Sequence, residues 1–184
     1  MRPASARGLA RRLLAEPLPR RWAHTRGVAT QAARLAPVLG EDADLVVAAA
    51  WLHDIGYAPE LVVTGFHPLD GARYLRDVEH ADDMLCRLVA HHTCAVVEAE
   101  ERGLAAQLSR EFAPARGNIM DALIFCDMTT GPEGGRVTPE RRLADIEARY
   151  GPGHQVTNAI QRATPDLLAA VGRVADAAPG YDGS

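Results

Sequence analysis

Lysine is absent from the 184 residues, and all 20 basic side chains are arginine. That excludes Schiff-base lysine chemistry, a Walker-type phosphate loop and a lysine general acid. An anionic substrate must therefore be held by arginine, a metal or helix N-termini. Cysteine is scarce: Cys86, Cys94 and Cys126 are an odd number without a CxxC pair, which reads as reduced, structurally buried thiols rather than a disulfide framework. No run approaches the ~18 apolar residues of a membrane span. The arginine-rich start, MRPASARGLARRLLAEPLPRRW, lacks the apolar core of a signal peptide. The expectation is a cytoplasmic protein with no membrane partner. Strict apolar alternation, the mark of half-buried strands, is also missing.

What is present is 47% hydrophobic and 24% charged residues at a net charge of −4. This suits one compact domain and gives no reason to expect nucleic acid as a partner. Helical periodicity dominates, so the fold class expected is all-α, a single-domain helical bundle. Residues 1–19 form a basic arm or helix, 20–176 the domain and 177–184 a tail; a homodimer is an admissible assembly. Val28, Ala32, Leu35 and Leu39 share a stripe that His24 extends, and a helix from about 42 to 54 carries Leu45, Ala49, Leu52 and His53 inward. His67-Pro68 opens another helix, with Asp70 near its positive end. Met84, Leu88 and His91 share one stripe; Leu85, Leu88 and His92 share the adjoining one. A surface helix is expected over about 96–108. Asp127 falls on the stripe of Ile119, Leu123 and Ile124, and TTGPEGGRVTP is a loop before a helix that starts at Pro139.

His24, His53, Asp54, His67, His91, His92 and Asp127 thus interrupt apolar faces. Burying a lone carboxylate costs several kcal/mol (~2–7 for even a neutral polar group), and no arginine is read on the same stripes to neutralise it. A shared metal resolves the conflict, since neutral imidazole and carboxylate suit divalent iron, manganese or zinc. Seven groups exceed the usual three or four of one catalytic site, so two metals are expected. Such a pair roughly 3.5–4 Å apart could supply a hydroxide nucleophile and neutralise phosphate oxygens. For substrate binding, Arg26 and Arg73 follow two of the histidines, while Thr130 and Arg136 lie on a Gly/Pro-rich loop suited to a lid.

The ordered set His24, His53-Asp54, Asp127, with the tetrapeptide HDIG at 53–56, resembles the HD-domain metal-dependent phosphohydrolases over roughly residues 20–130. His67 and the histidine pair 24 and 25 residues later are similar to the added ligands of binuclear members, including HD-GYP and YqeK-like proteins. The resemblance implies an HD-type bundle in which His24, His53, Asp54 and Asp127 hold one metal and Asp54 bridges to a second. His67 and His91 would hold that second metal, with His92 a further ligand or a group that orients substrate, and His91 is ranked above His92. The cofactors implied are two divalent ions, iron or manganese first, with zinc, cobalt, nickel and magnesium also accommodated. Tyr57 stands where HD-GYP proteins have lysine, and the GYP element is missing, which points away from a cyclic dinucleotide phosphodiesterase. The Tyr57 phenol is a candidate donor to a leaving group and Asp54 the central catalytic carboxylate. The function expected is hydrolysis of a small phosphorylated substrate, a nucleotide monophosphate or another phosphomonoester. The alternatives are a mixed-valent di-iron oxygenase of the same fold and a non-catalytic nucleotide-binding module.

Overall fold

A computed structural model of the chain describes residues 1–115 and 117–179. Its helices are α1 (Pro3–Leu14), α2 (Pro19–Arg34), α3 (Ala36–Leu39), α4 (Ala43–Leu52), α5 (His67–Asp77), α6 (Asp83–His91), α7 (Ala95–Glu101), α8 (Ala105–Glu111), α9 (Asn118–Met128), α10 (Pro139–Tyr150) and α11 (Gln155–Ala177). Among the described residues there is no strand, only an isolated bridge between Thr130 and Arg136. The fold is all-α. Most of the expected tail, from residue 180, lies outside the described residues.

Helix starts follow the local chemistry. Proline opens α1, α2 and α10, where its missing N–H costs nothing. Thr138 caps α10 by accepting the Arg141 amide at 3.3 Å, and the His154 ring caps α11 by accepting the Val156 amide at 3.1 Å. Gly103, at φ 71, splits the expected surface helix into α7 and α8.

α4, ADLVVAAAWL, is apolar almost all round and lies at the centre of the bundle, touching α1, α2, α6 and α9. The basic N-terminal segment is no free arm. α1 buries Ala6, Leu9, Ala10, Leu13 and Leu14 against α4 in the same core as the rest of the chain. Its three leucines alone contribute roughly 5–9 kcal/mol of gross burial, an upper figure against an extended chain. Among the described residues no helix is long and apolar enough to cross a membrane.

Between the end of α4 and the start of α5 the chain makes a turn at Ile55–Tyr57. Gly56 lies so close to α5 that a Cβ there would stand 2.0 Å from the His67 carbonyl oxygen. The loop that follows is tied down by Asp70, whose carboxylate accepts the amides of Val63, Thr64 and Gly65 at 3.0–3.1 Å. HDIG and His67 are thereby clamped to each other through backbone.

Candidate metal centre

The end of α4, the start of α5, the end of α6, the middle of α2 and the last turn of α9 converge on one buried spot. Two sets of donor atoms form there, each with its atoms within 4.8 Å of one another: His24, His53 and Asp127, and Asp54, His67 and His92. Asp54 joins them. Its Oδ2 lies 3.3 Å from His53 Nε2 and 3.9 Å from His24 Nε2, while its Oδ1 lies 3.4 Å from His67 Nε2.

Backbone carbonyls set the histidine tautomers. His24 Nδ1–H donates to the Gly131 carbonyl at 3.1 Å, His53 Nδ1–H to Ala50 at 2.8 Å and His92 Nδ1–H to Val89 at 2.7 Å. A carbonyl can only accept, so in the neutral ring each Nε2 keeps its lone pair and faces the cluster. Burial pushes the pKa of His24, His67 and His92 down and keeps these rings neutral. At His53 burial acts in the same direction, but the Asp54 carboxylate outweighs it and the pKa rises.

The result is a convergence of acceptors. His24 Nε2 faces Asp127 Oδ1 at 3.0 Å, and His53 Nε2 is buried with no hydrogen-bond partner among the described residues although Asp54 lies beside it. Lone pairs opposed at such distances call for a cation between them, and imidazole with carboxylate is a donor set suited to a divalent metal. The residues present therefore fit the metals that the sequence implies.

Burial alone would raise both carboxylates, yet each is held well below the usual range by an adjacent arginine and the histidines. Arg21 donates to Asp54 Oδ2 at 2.8 Å. Arg142, itself only 5% exposed, donates to Asp127 Oδ1 and to His24 Nε2, both at 3.2 Å. Neither arginine was expected at the site. Arg21 sits three residues before His24, one helical step along the same face of α2; Arg142 occupies the buried face of α10 with Ile146. The stripes thus do carry neutralising cations, contrary to the sequence reading. Thr93 is the third addition: its hydroxyl donates to Asp127 Oδ2. Thr93 has φ 50, an uncommon conformation for a β-branched residue, and it takes the chain out of α6 toward the site.

His91 is a correction. Its Nε2–H donates to the Phe112 carbonyl at 2.8 Å, away from both donor sets, and His92 takes the position beside His67, with their Nε2 atoms 3.2 Å apart. α6 ends at His91, and the change to an extended backbone at His92 (ψ 152) turns the two rings apart. None of the four residues expected to bind substrate lines the two cavities that meet the donor sets. Arg73 pairs with Glu111 across α5 and α8. Arg26 is exposed and lies over the Trp22 ring. Thr130 donates to the Cys126 carbonyl at 2.7 Å. Arg136 lines a separate surface concavity together with Arg26.

Tyr57 is at the site. Its ring stacks on His67 at 3.9 Å, Arg21 covers it at 3.9 Å, and burial raises its phenol pKa well above the ordinary value. Two cavities meet at Arg21, Arg142 and Arg149: one of about 80 Å³ against Asp54, His67, His92 and Asp127, and one of about 320 Å³ that reaches His24 from Pro17–Pro19. Arg149 is tethered to Asp145 at 2.7 Å.

No curated protein and no solved structure matches the chain. A family model described as HD domain matches residues 21–145, a span that begins at Arg21 and includes every donor named above together with Arg142. The chain belongs to the HD domain family, whose members bind divalent metals and are typically metal-dependent phosphohydrolases.

Proposed function

We propose that the protein hydrolyses a small phosphomonoester, a nucleotide monophosphate first among the candidates, at a binuclear centre formed by His24, His53 and Asp127 on one side and His67 and His92 on the other, with Asp54 between them. The observation that carries this reading is the division of the Asp54 carboxylate, Oδ2 toward His53 and His24 and Oδ1 toward His67. Divalent cations bound there, iron or manganese, would supply Lewis acidity and an activated water.

The chain's own groups cover the remaining needs of the reaction. Arg21 and Arg142 stand at the junction of the two cavities, where their guanidinium groups can pair with phosphoryl oxygens. Arg21 is engaged by Asp54 and Arg142 by Asp127, and guanidinium N–H groups not used in those pairs would be available to phosphoryl oxygens when the carboxylates hold metal. The Tyr57 phenol, kept protonated by burial, is the donor to the leaving oxygen. Cavities of this size favour a small molecule over a polymer. The test is anaerobic phosphate release from a panel of nucleotides and sugar phosphates, with iron or manganese supplied. Release under anaerobic conditions supports the hydrolase. Oxygen consumption without phosphate release from any phosphomonoester sinks it in favour of an oxygenase.

A further inference from the structure

A second concavity, of about 630 Å³, is bounded by α1, α2, α4 and the loop after α9, and none of the metal-centre residues lines it. Arg26, Thr30 and Arg34 enter it from successive turns of α2, Arg7 from α1 and Trp51 from α4. Among the described residues no carboxylate is paired with Arg7, Arg26 or Arg34. The one acidic group on the wall, Glu133, is taken by Arg20 at 2.8 Å. In a protein of net charge −4, Arg7, Arg26 and Arg34 concentrate positive charge on this face.

The wall also carries a flat apolar element. Trp51 stacks on Trp22 with centroids 5.5 Å apart, Arg7 lies over Trp51 and Arg26 over Trp22, each at 5.9 Å. Both indoles are only partly buried. Gln31, 5% exposed, lies among the lining residues, and its amide oxygen has no hydrogen-bond partner among the described residues. The concavity is built rather than incidental. A Cβ on Gly27 would stand 2.4 Å from the Gly134 carbonyl oxygen, so two glycines lock the loop onto α2 and fix the wall.

Arginines free of carboxylates beside an indole face match a ligand that joins phosphate to a planar base, because guanidinium pairs with phosphate oxygens and a base stacks on tryptophan. We infer that this concavity is a second ligand site, which binds a nucleotide through its phosphates and its base at a distinct place from the metal centre. The described residues on its wall are arginines, small and amide side chains, Trp51 and the paired Glu133, which suit binding.

The chain has only two tryptophans, Trp22 and Trp51, and its intrinsic emission therefore reads this site. ADP and UDP are titrated into the full-length, metal-supplied protein, with adenosine and pyrophosphate as partial ligands. A saturable quench by a nucleotide is expected, at least about tenfold tighter than with adenosine or pyrophosphate. The exposed pair of changes Arg26→Gln and Arg34→Gln should weaken it by at least about tenfold, with unchanged circular dichroism and metal content. Asp127→Asn should leave it intact. The inference is overturned if neither nucleotide alters the emission, if the double variant responds like wild type, or if Asp127→Asn abolishes the response. A tighter response per phosphate to a single-stranded oligonucleotide would overturn it in favour of a polymer surface.

Discussion

Replacing Gly56 by alanine adds a single methyl group, and the structure leaves it nowhere to go. The new Cβ would lie 2.0 Å from the His67 carbonyl oxygen and 2.7 Å from the Gly71 amide nitrogen, whereas ordinary contact begins at 3.4 Å. Both obstacles are backbone, so no rotamer change relieves them, and the turn and α5 must part by more than 1 Å, about the difference between 3.4 and 2.0. Overpacking of this kind costs about 2–3 kcal/mol, which corresponds to a fall in Tm of roughly 4–12 °C for a chain of this length. The specific consequence is at the metal centre: α5 carries His67 away from Asp54 and His92, while His24, His53 and Asp127 keep their places. Gly56→Ala protein should therefore lose one equivalent of metal by elemental analysis and retain the other. Gly172→Ala is the control, since nothing lies within 4 Å of its added Cβ; mid-helix, it should gain about 0.5–1 kcal/mol. A Gly56→Ala protein with wild-type Tm and two metals would refute the argument that this glycine exists for close approach.

Four further outcomes follow from the same geometry. His92→Ala should lose metal, whereas His91→Ala should keep it and lose only about 1–3 kcal/mol of stability, as the Phe112 carbonyl goes without its donor; elemental analysis and thermal melts separate the two. Arg142→Met leaves Asp127 short of its cation, so the metal-free variant should lose about 3–5 kcal/mol, and added manganese should recover more Tm than in wild type. Tyr57→Phe retains the stack on His67 and should lower kcat about tenfold or more with metal content unchanged. Asp54 and Asp127 titrate below their unfolded values, so their contribution is complete above that range and is lost as pH falls through the folded values. Buried His24, His67 and His92 resist protonation that the unfolded chain accepts, so metal-free protein should begin to lose Tm as pH falls below about 6.5 and lose more below about pH 4 as the two carboxylates protonate; a flat profile from about pH 7 to about pH 3 would contradict this.

The donors were legible in the sequence because imidazoles and carboxylates on otherwise apolar helical stripes need an explanation. Their order also resembled a known pattern. The choice between His91 and His92 was harder. Both stripes through α6 end in histidine, and only the depth of Leu85, fully buried where Met84 is partly buried, separates them. The deeper stripe was the one that ended in His92. Thr93 and Cys94 then take left-handed backbone, which no residue preference announced.

Arg21 had a local signal, three residues before His24, that was hidden among 20 arginines. Arg142 lies 15 residues beyond Asp127, and only the return of α10 over the site brings it there; its mark in sequence is an arginine in step with Ile146 on an apolar face. For Arg26 and Arg73, nearness to histidines in sequence does not bring them to the donor sets. Helical geometry sends Arg26, two positions from His24, to the other side of α2. Glu111, distant in sequence, claims Arg73.

The central claim is that two metals are held by two donor sets sharing Asp54. Anomalous diffraction from crystals grown with manganese tests it most directly. The account predicts two peaks in each chain, one against His24, His53 and Asp127 and the other against His67 and His92, with Asp54 touching both. A single peak, or a peak coordinated by His91, would contradict it.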